Sequence, residues 1–388
     1  MEKAAQPKAG MPNRIVAYDR ARALAVVGMI FVNTCKIMGV NHFKPWWMDT
    51  LARLVTGRAA VLFVMLAGAG IVLAYDRAYD HEKPLVRGRL IARASWLCIF
   101  GMLLMLVWNA DILHYYTAFI AFGVLLLDWR TARLKNILTM TVAASMAVCA
   151  LVTYDIEGGQ ILEEVAAPGL MGLVGDYFFF SKYYPVFPWF CFFLLGMLIG
   201  RLERFPERGR FHLIFITSSL CFVGIELFSA MLNAETIAGR WVDIDLPLWR
   251  AFSLSEAFPV APLFVFSAGA SGLATISLLR LLSERKPLFG SFSPLAAFGR
   301  LSLTVYISHI LIGTVYCRWI DNRHALATAD RALLFSTVFI LAGMVFAAAW
   351  TRRFKKGPLE MVLDALSRMF LPRRNLSLRP STEALSDG

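Results

Sequence analysis

Ten apolar stretches recur along this chain, and the basic residues between them fall on alternate sides. A helix of roughly 20 mostly apolar residues crosses a bilayer. Stretches near that length occur at 23–40, 58–75, 94–109, 112–128, 136–153, 186–200, 211–232, 258–280, 301–317 and 332–350. Of the 388 residues, 58% are hydrophobic, and mean hydropathy is +0.60. That exceeds the roughly 45–50% typical of soluble domains. With the N-terminus in the cytoplasm, segments 1–22, 76–93, 129–135, 201–210, 280–300 and 351–388 all lie inside. They hold 29 of the 39 Lys and Arg residues. Cytoplasmic loops of membrane proteins carry such an excess. The stretch from Asp155 to Asp176, on the other side, has five acids and no base. The expected fold is an all-α polytopic membrane protein of about ten transmembrane helices, both termini cytoplasmic.

The net charge of +12 is then a property of the inner loops and does not call for nucleic acid. The first span ends in Asn33–Lys36, not in a small-residue cleavage site, so it does not read as a removable signal. The six cysteines form no Cys-x-x-Cys pair. They read as packing residues, with no metal site expected. Residues 1–22 form an inner N-terminal segment and 23–350 the membrane domain. In 351–376, Leu359, Val362, Leu363, Leu366 and Phe370 fall at helical spacing between basic flanks. That is the pattern of an amphipathic helix lying on the inner leaflet. Residues 377–388 read as a disordered tail.

Polar groups inside a bilayer are costly, so each is a functional candidate. Asn33, Lys36, Glu226 and His309 fall within the spans. Lys36 can instead snorkel to the surface, and Asn33 and His309 can serve helix packing. Lys36 or His309 is available as a partner for Glu226. At the outer ends stand His42, in Asn41-His42-Phe43-Lys44-Pro45-Trp46-Trp47, and Asp111 with His114 in a short turn. A histidine oriented by a carboxylate is a workable general base. A loop histidine is also often merely solvated. At the inner end Arg14, Asp19, Arg20 and Arg22 cluster, with Arg93 and Arg300 in other inner segments. Arginine clusters suit phosphates. Asp19 pairs most simply with Arg22 at i, i+3. Arg58 stands on the outer side, where the topology rule does not ask for a base.

Several of these stretches, in order, resemble the transmembrane acyltransferase superfamily. Asp19-Arg20-Ala21-Arg22 through Gly28 to Asn33 resembles its opening Asp-x-x-Arg-Gly…Asn signature, with Ala23 in the glycine's place. Leu62 to Gly70, Ile112-Leu113-His114-Tyr115, Phe187-Pro188-Trp189 to Arg201, and Phe298-Gly299-Arg300 to Tyr306 follow. Gly357-Pro358-Leu359-Glu360 comes after the last span. The tail motif is most similar to the YeiB-like bacterial branch. The superfamily also includes heparan-α-glucosaminide N-acetyltransferase, and His309 is similar to a late histidine of the more distant acyltransferase-3 family.

The resemblance implies transfer of an acyl group, acetyl foremost, from cytosolic acyl-CoA to a hydroxyl or amine of a sugar or glycan across a bacterial inner membrane. It implies His42 in the comparable place to a transfer histidine, and His114 in the Leu-His element before the fourth span. Asp111 would orient the base, and Asn33 or a tyrosine would donate to the oxyanion. Arg20 and Arg22, with Arg93 or Arg300, would meet the CoA phosphates, and Asp19 joins them in the cofactor-binding set as the partner of Arg22. The alternative is a transporter of an organic anion or sugar derivative, with Lys36, Arg58, Glu226 and His309 as pore or relay residues. A homodimer is compatible with either.

Overall fold

The computed structural model describes residues 14–40, 46–154, 177–178, 184–204, 207–237, 255, 257, 260–284, 293–317 and 328–369. Among them are thirteen α-helices. These are α1 (Val16–Ile37), α2 (Trp46–Val55), α3 (Arg58–Asp76), α4 (Lys83–Met105), α5 (Tyr115–Leu125), α6 (Thr131–Tyr154) and α7 (Val186–Leu202). They continue with α8 (Arg208–Ile237), α9 (Pro262–Glu284), α10 (Pro294–Arg300), α11 (Ser302–Val315), α12 (Ala329–Trp350) and α13 (Pro358–Met369). The described residues form no β-sheet; Ala257 and Val260 make one isolated bridge.

Each of the ten apolar stretches coincides with a helix: α1, α3 to α9, α11 and α12. By length and composition, five spans among the described residues can cross a membrane: Trp46–Asp76, Asp80–Met105, Gly209–Leu232, Pro262–Ser283 and Ala329–Trp350. A sixth follows if α10 and α11, bent by 80°, act together. The surface agrees with this. Leu213, Leu220, Leu227 and Met231 of α8, and Leu334, Val338, Leu341 and Val345 of α12, point outward. Such apolar faces are stable against lipid and not against water. The chain is a multi-pass, all-helical membrane protein.

The centre is the pair α3 and α7, which lie parallel. Gly196 and Gly200 on α7 form a Gly-x-x-x-Gly face. A Cβ on Gly196 would fall on the Met65 carbonyl, and one on Gly68 would fall on that of Phe193. Small residues let helix backbones approach where lipid supplies no hydrophobic drive.

Two departures from the apolar pattern position the site. First, α5 has 11 residues and so spans only ~16 Å. The segment before it does not turn at the bundle's edge; it folds back into the interior. Second, the ninth stretch begins with a break. Ser293 caps α10 by accepting from the Ala296 N–H at 3.2 Å, and Pro294 starts the helix. Gly299 then lies so close to the Asp19 carbonyl that a Cβ would overlap it, and the chain bends into α11. Glu360 of α13 satisfies the exposed start of α11. It accepts from Leu303 N at 2.8 Å, Thr304 N at 3.3 Å and Thr304 Oγ1 at 2.6 Å. Helix starts leave N–H donors unpaired, and a carboxylate there is stabilising. The Gly-Pro-Leu-Glu motif is therefore a clasp between α13 and α11.

Candidate active site

A cavity of about 380 Å³ opens among α1, α3, α4, α5, the α10–α11 bend and α13. Five cations line it: Arg14, Arg22, Arg93, Arg300 and Lys356. Asp19 stands behind two of them. It is 3% exposed and accepts from Arg14 Nε at 2.5 Å and from Arg22 Nη1 at 3.0 Å. The i, i+3 pairing expected for Asp19 and Arg22 is present. Asp364 faces Arg93 Nη1 at 3.2 Å and also pairs with Lys356. Among the described residues, Arg300 has no ion pair. Deeper in, the walls turn apolar with Phe63, Ala67, Gly70, Leu97, Leu113 and Tyr116. The buried Tyr116 hydroxyl has no hydrogen-bond partner among the described residues.

Behind Leu113 and Tyr116 lies the carboxylate–histidine pair. Leu113 N and His114 N donate to Asp111 Oδ2 at 2.9 and 3.3 Å. The His114 Nδ1 lies 3.3 Å from the same oxygen. On the other side of the carboxylate, the Tyr306 hydroxyl of α11 donates to Oδ1 at 3.3 Å. With Nδ1 turned to Asp111, the neutral ring keeps Nε2 as a proton acceptor. The sequence places these residues in a short turn at the outer end, and in the structure that turn is packed inside the protein, with Asp111 1% and His114 8% exposed. Gly101 makes the insertion possible, since a Cβ there would strike His114 N and Asp111 Oδ2. Gly101 is one turn, ~6 Å, inside the end of α4.

The other candidates divide into separate places. Asn33 Nδ2 lies 3.2 Å from His309 Nε2, both buried. Arg58 is buried and meets Glu226 Oε1 at 2.5 Å. Ser255 and Ser267 also donate to that carboxylate. Glu226 therefore pairs with Arg58 and not with Lys36 or His309, so Lys36, Glu226 and His309 are not assembled into one relay. Lys36 ends α1. Arg20 points away from the cavity, with Nη1 donating to Ser283 Oγ at 2.9 Å. His42 lies outside the described residues. The structure keeps Arg14 of the inner cluster at the cavity and adds Tyr116, Tyr306 and Lys356 to the site. The last three carry a signal only as motif neighbours, because nothing in linear spacing brings residues 116, 306 and 356 together.

Residues 14–228 match the catalytic family of heparan-alpha-glucosaminide N-acetyltransferase. The chain belongs to that family. Residues 236–369 match a second family, described as a protein of unknown function, DUF418. The chain is 24% identical to the uncharacterised protein YxaH of Bacillus subtilis (strain 168), over 89% of this chain and 92% of that one. It is also 24% identical to an uncharacterised 39.9 kDa protein from the amylase 3′ region of Bacillus acidopullulyticus, covering 91% and 93% of the two chains. This places it in a family of membrane acetyltransferases. Both matched regions build the cavity: Arg14, Arg22 and Arg93 come from the acetyltransferase region, Arg300 and Lys356 from the other.

Proposed function

We propose that this protein transfers an acetyl group from cytosolic acetyl-CoA to a hydroxyl or amine of a sugar or glycan presented at the opposite membrane face. The observation that carries this is the graded cavity, five cations at one end and an apolar throat closing on Leu113 and Tyr116 beside His114. The phosphates of CoA suit the guanidinium groups, and the thin pantetheine arm suits the throat. Both termini face the cytoplasm of a bacterial inner membrane in this reading, which puts the cations on the side where CoA is found.

His114 Nε2 removes the proton from the acceptor O–H or N–H as the new bond forms to the thioester carbonyl carbon. The C–S bond then breaks, and the CoA thiolate leaves with that proton. Asp111 holds the imidazole and stabilises its cation. The Tyr116 hydroxyl donates to the carbonyl oxygen as it gains charge. Holding thioester and acceptor together across a barrier is a large share of the rate.

Purified protein in nanodiscs, given acetyl-CoA and a panel of sugars and aminosugars, tests this. Thiol release coupled to an acetylated product is expected, with His114→Ala lowering kcat about 10²- to 10⁴-fold. His42→Ala, assayed alongside, decides which histidine is the base. Wild-type rates in both variants, or acceptor uptake with the thioester intact, would refute the assignment; uptake would favour a transporter.

A further inference from the structure

A second cavity, of about 410 Å³, lies on the lipid side of the bundle between α6 and α8, floored by α7 and α9. Its walls are apolar: Leu138 and Val142, Phe192 and Leu195, Val265 and Leu273. Immediately beyond its Cys221 and Val265 end stands the Arg58–Glu226 cluster. The Arg58 guanidinium lies over the rings of Phe222 and Phe264, at 5.6 and 5.4 Å. Its other contacts are Arg53 O at 2.9 Å, Ser255 Oγ at 3.1 Å and Ser267 Oγ at 2.9 Å. Its Nε is buried without a partner among the described residues. The Glu226 side chain keeps 29% of its surface exposed, on a helix whose outward neighbours Val223 and Leu227 face lipid. Glu226 sits six residues inside the Gly209–Leu232 span, so ~9 Å from its end. An ionised pair held at that depth is a candidate site by its cost alone.

The combination is amphipathic and opens sideways to the bilayer. An alkyl chain fits the groove, and the exposed face of Glu226 accepts hydrogen bonds at the groove's end. Arg58 and Glu226 neutralise one another, so a phosphate would meet a carboxylate with no spare cation. A hydroxyl-rich, phosphate-free head meets no such repulsion. The groove's floor helix α7 is joined to the His114 segment by an aromatic contact. Tyr184, just before α7, packs on Trp189 of that helix at 4.8 Å and on Tyr115, next to His114, at 6.1 Å.

We propose that this groove seats the alkyl chain of a lipid-anchored acceptor, its sugar head lying against Glu226 and reaching along the start of α7 toward His114. The proposal rests on the acetyl-transfer reading and narrows its acceptor to a membrane-anchored glycolipid.

The test uses the full chain in phosphatidylcholine nanodiscs and an alkyl glycoside bearing a photoreactive group in its chain. Crosslinks are expected on 214–221 and 265–273. Unlabelled dodecyl glycoside should compete for them and phosphatidylcholine should not. Thr217 of α8 lines the groove from an exposed helix face, so Thr217→Trp fills it while folding is spared. It should cut labelling about tenfold, and Glu226→Gln should weaken it. In the acetylation assay, the dodecyl glycoside should show a KM at least about tenfold below that of the methyl glycoside, a gap lost in Thr217→Trp. Labelling spread evenly over the lipid-facing helices, or competed by phosphatidylcholine, overturns the proposal and leaves an ordinary annular lipid. Equal KM values with normal acetyl transfer overturn it while acetyl transfer itself stands. Groove labelling without any thiol release would instead sink acetyl transfer, and the acceptor role with it.

Discussion

Asp111 is the residue on which the candidate chemistry turns, because four groups converge on one buried carboxylate. Two backbone N–H groups and the Tyr306 hydroxyl donate to it, and His114 lies beside it. Asp111→Asn keeps the shape but removes the charge that favours an imidazolium, and can fix the wrong tautomer. The expected result is a fall in kcat of about 10²-fold or more, with KM for acetyl-CoA unchanged. Tyr306→Phe removes one neutral donor, worth about 1 kcal/mol, and so should cost about tenfold at most. Steady-state kinetics at saturating acceptor separates the two. The pairs legible from sequence were local: Asp19 with Arg22 and Asp111 with His114, each three residues apart. Arg58 with Glu226 and Asn33 with His309 were not. Their partners lie 168 and 276 residues away, and a residue's cost in the bilayer says that it needs a partner without saying which.

The apolar stretches marked where helices run, but not where they end or bend, since hydropathy measures contact with lipid and not chain direction. The fold-back before α5 reads as an outer turn for that reason, and the short helix and bend that precede the 301–317 run leave no mark in its hydropathy. Close contacts between elements were legible only as glycines in motifs. Gly196→Ala tests the α3–α7 seam: with the Met65 carbonyl in its way, the helices must separate, at a cost of about 1–3 kcal/mol. Thermal unfolding in detergent should show a lower Tm. A surface control such as Gly224→Ala, with nothing near its Cβ, should not fall. Glu360→Ala probes a different joint. It strips the start of α11 of its acceptor and frees α13, which with the residues just before it brings Asp364 and Lys356 to the cavity. Acetyl-CoA affinity should drop more than global stability does, read by titration calorimetry beside the melting curve.

Across the whole molecule, charge is sorted along the bundle: cations gather at the end where α1 begins, and the carboxylate–histidine pair lies deeper, behind an apolar throat. Such a cationic mouth attracts a polyanion through interactions screened over ~10 Å at 0.1 M salt. KM for acetyl-CoA should therefore rise with ionic strength, while kcat at saturation stays level. The mouth is not uniform, and the difference predicts an order. Arg93 shares its charge with Asp364, and Arg14 and Arg22 share theirs with Asp19. Arg300 has no ion pair among the described residues, so its charge is the least shared of the four arginines. Arg300→Gln should therefore raise KM more than Arg93→Gln does. Exposed or rim charges are worth about 1 kcal/mol each, and a charge-assisted phosphate contact about 1.5–3 kcal/mol, so about tenfold is expected for Arg300→Gln. Repeating the measurement with a donor lacking the 3′-phosphate shows which phosphate Arg300 meets, because the variant and the truncated donor then lose the same contact and their effects do not add. If KM is flat from low to high salt in wild type and both variants, the cations serve membrane topology alone, and the basic end of the cavity is not where the donor binds.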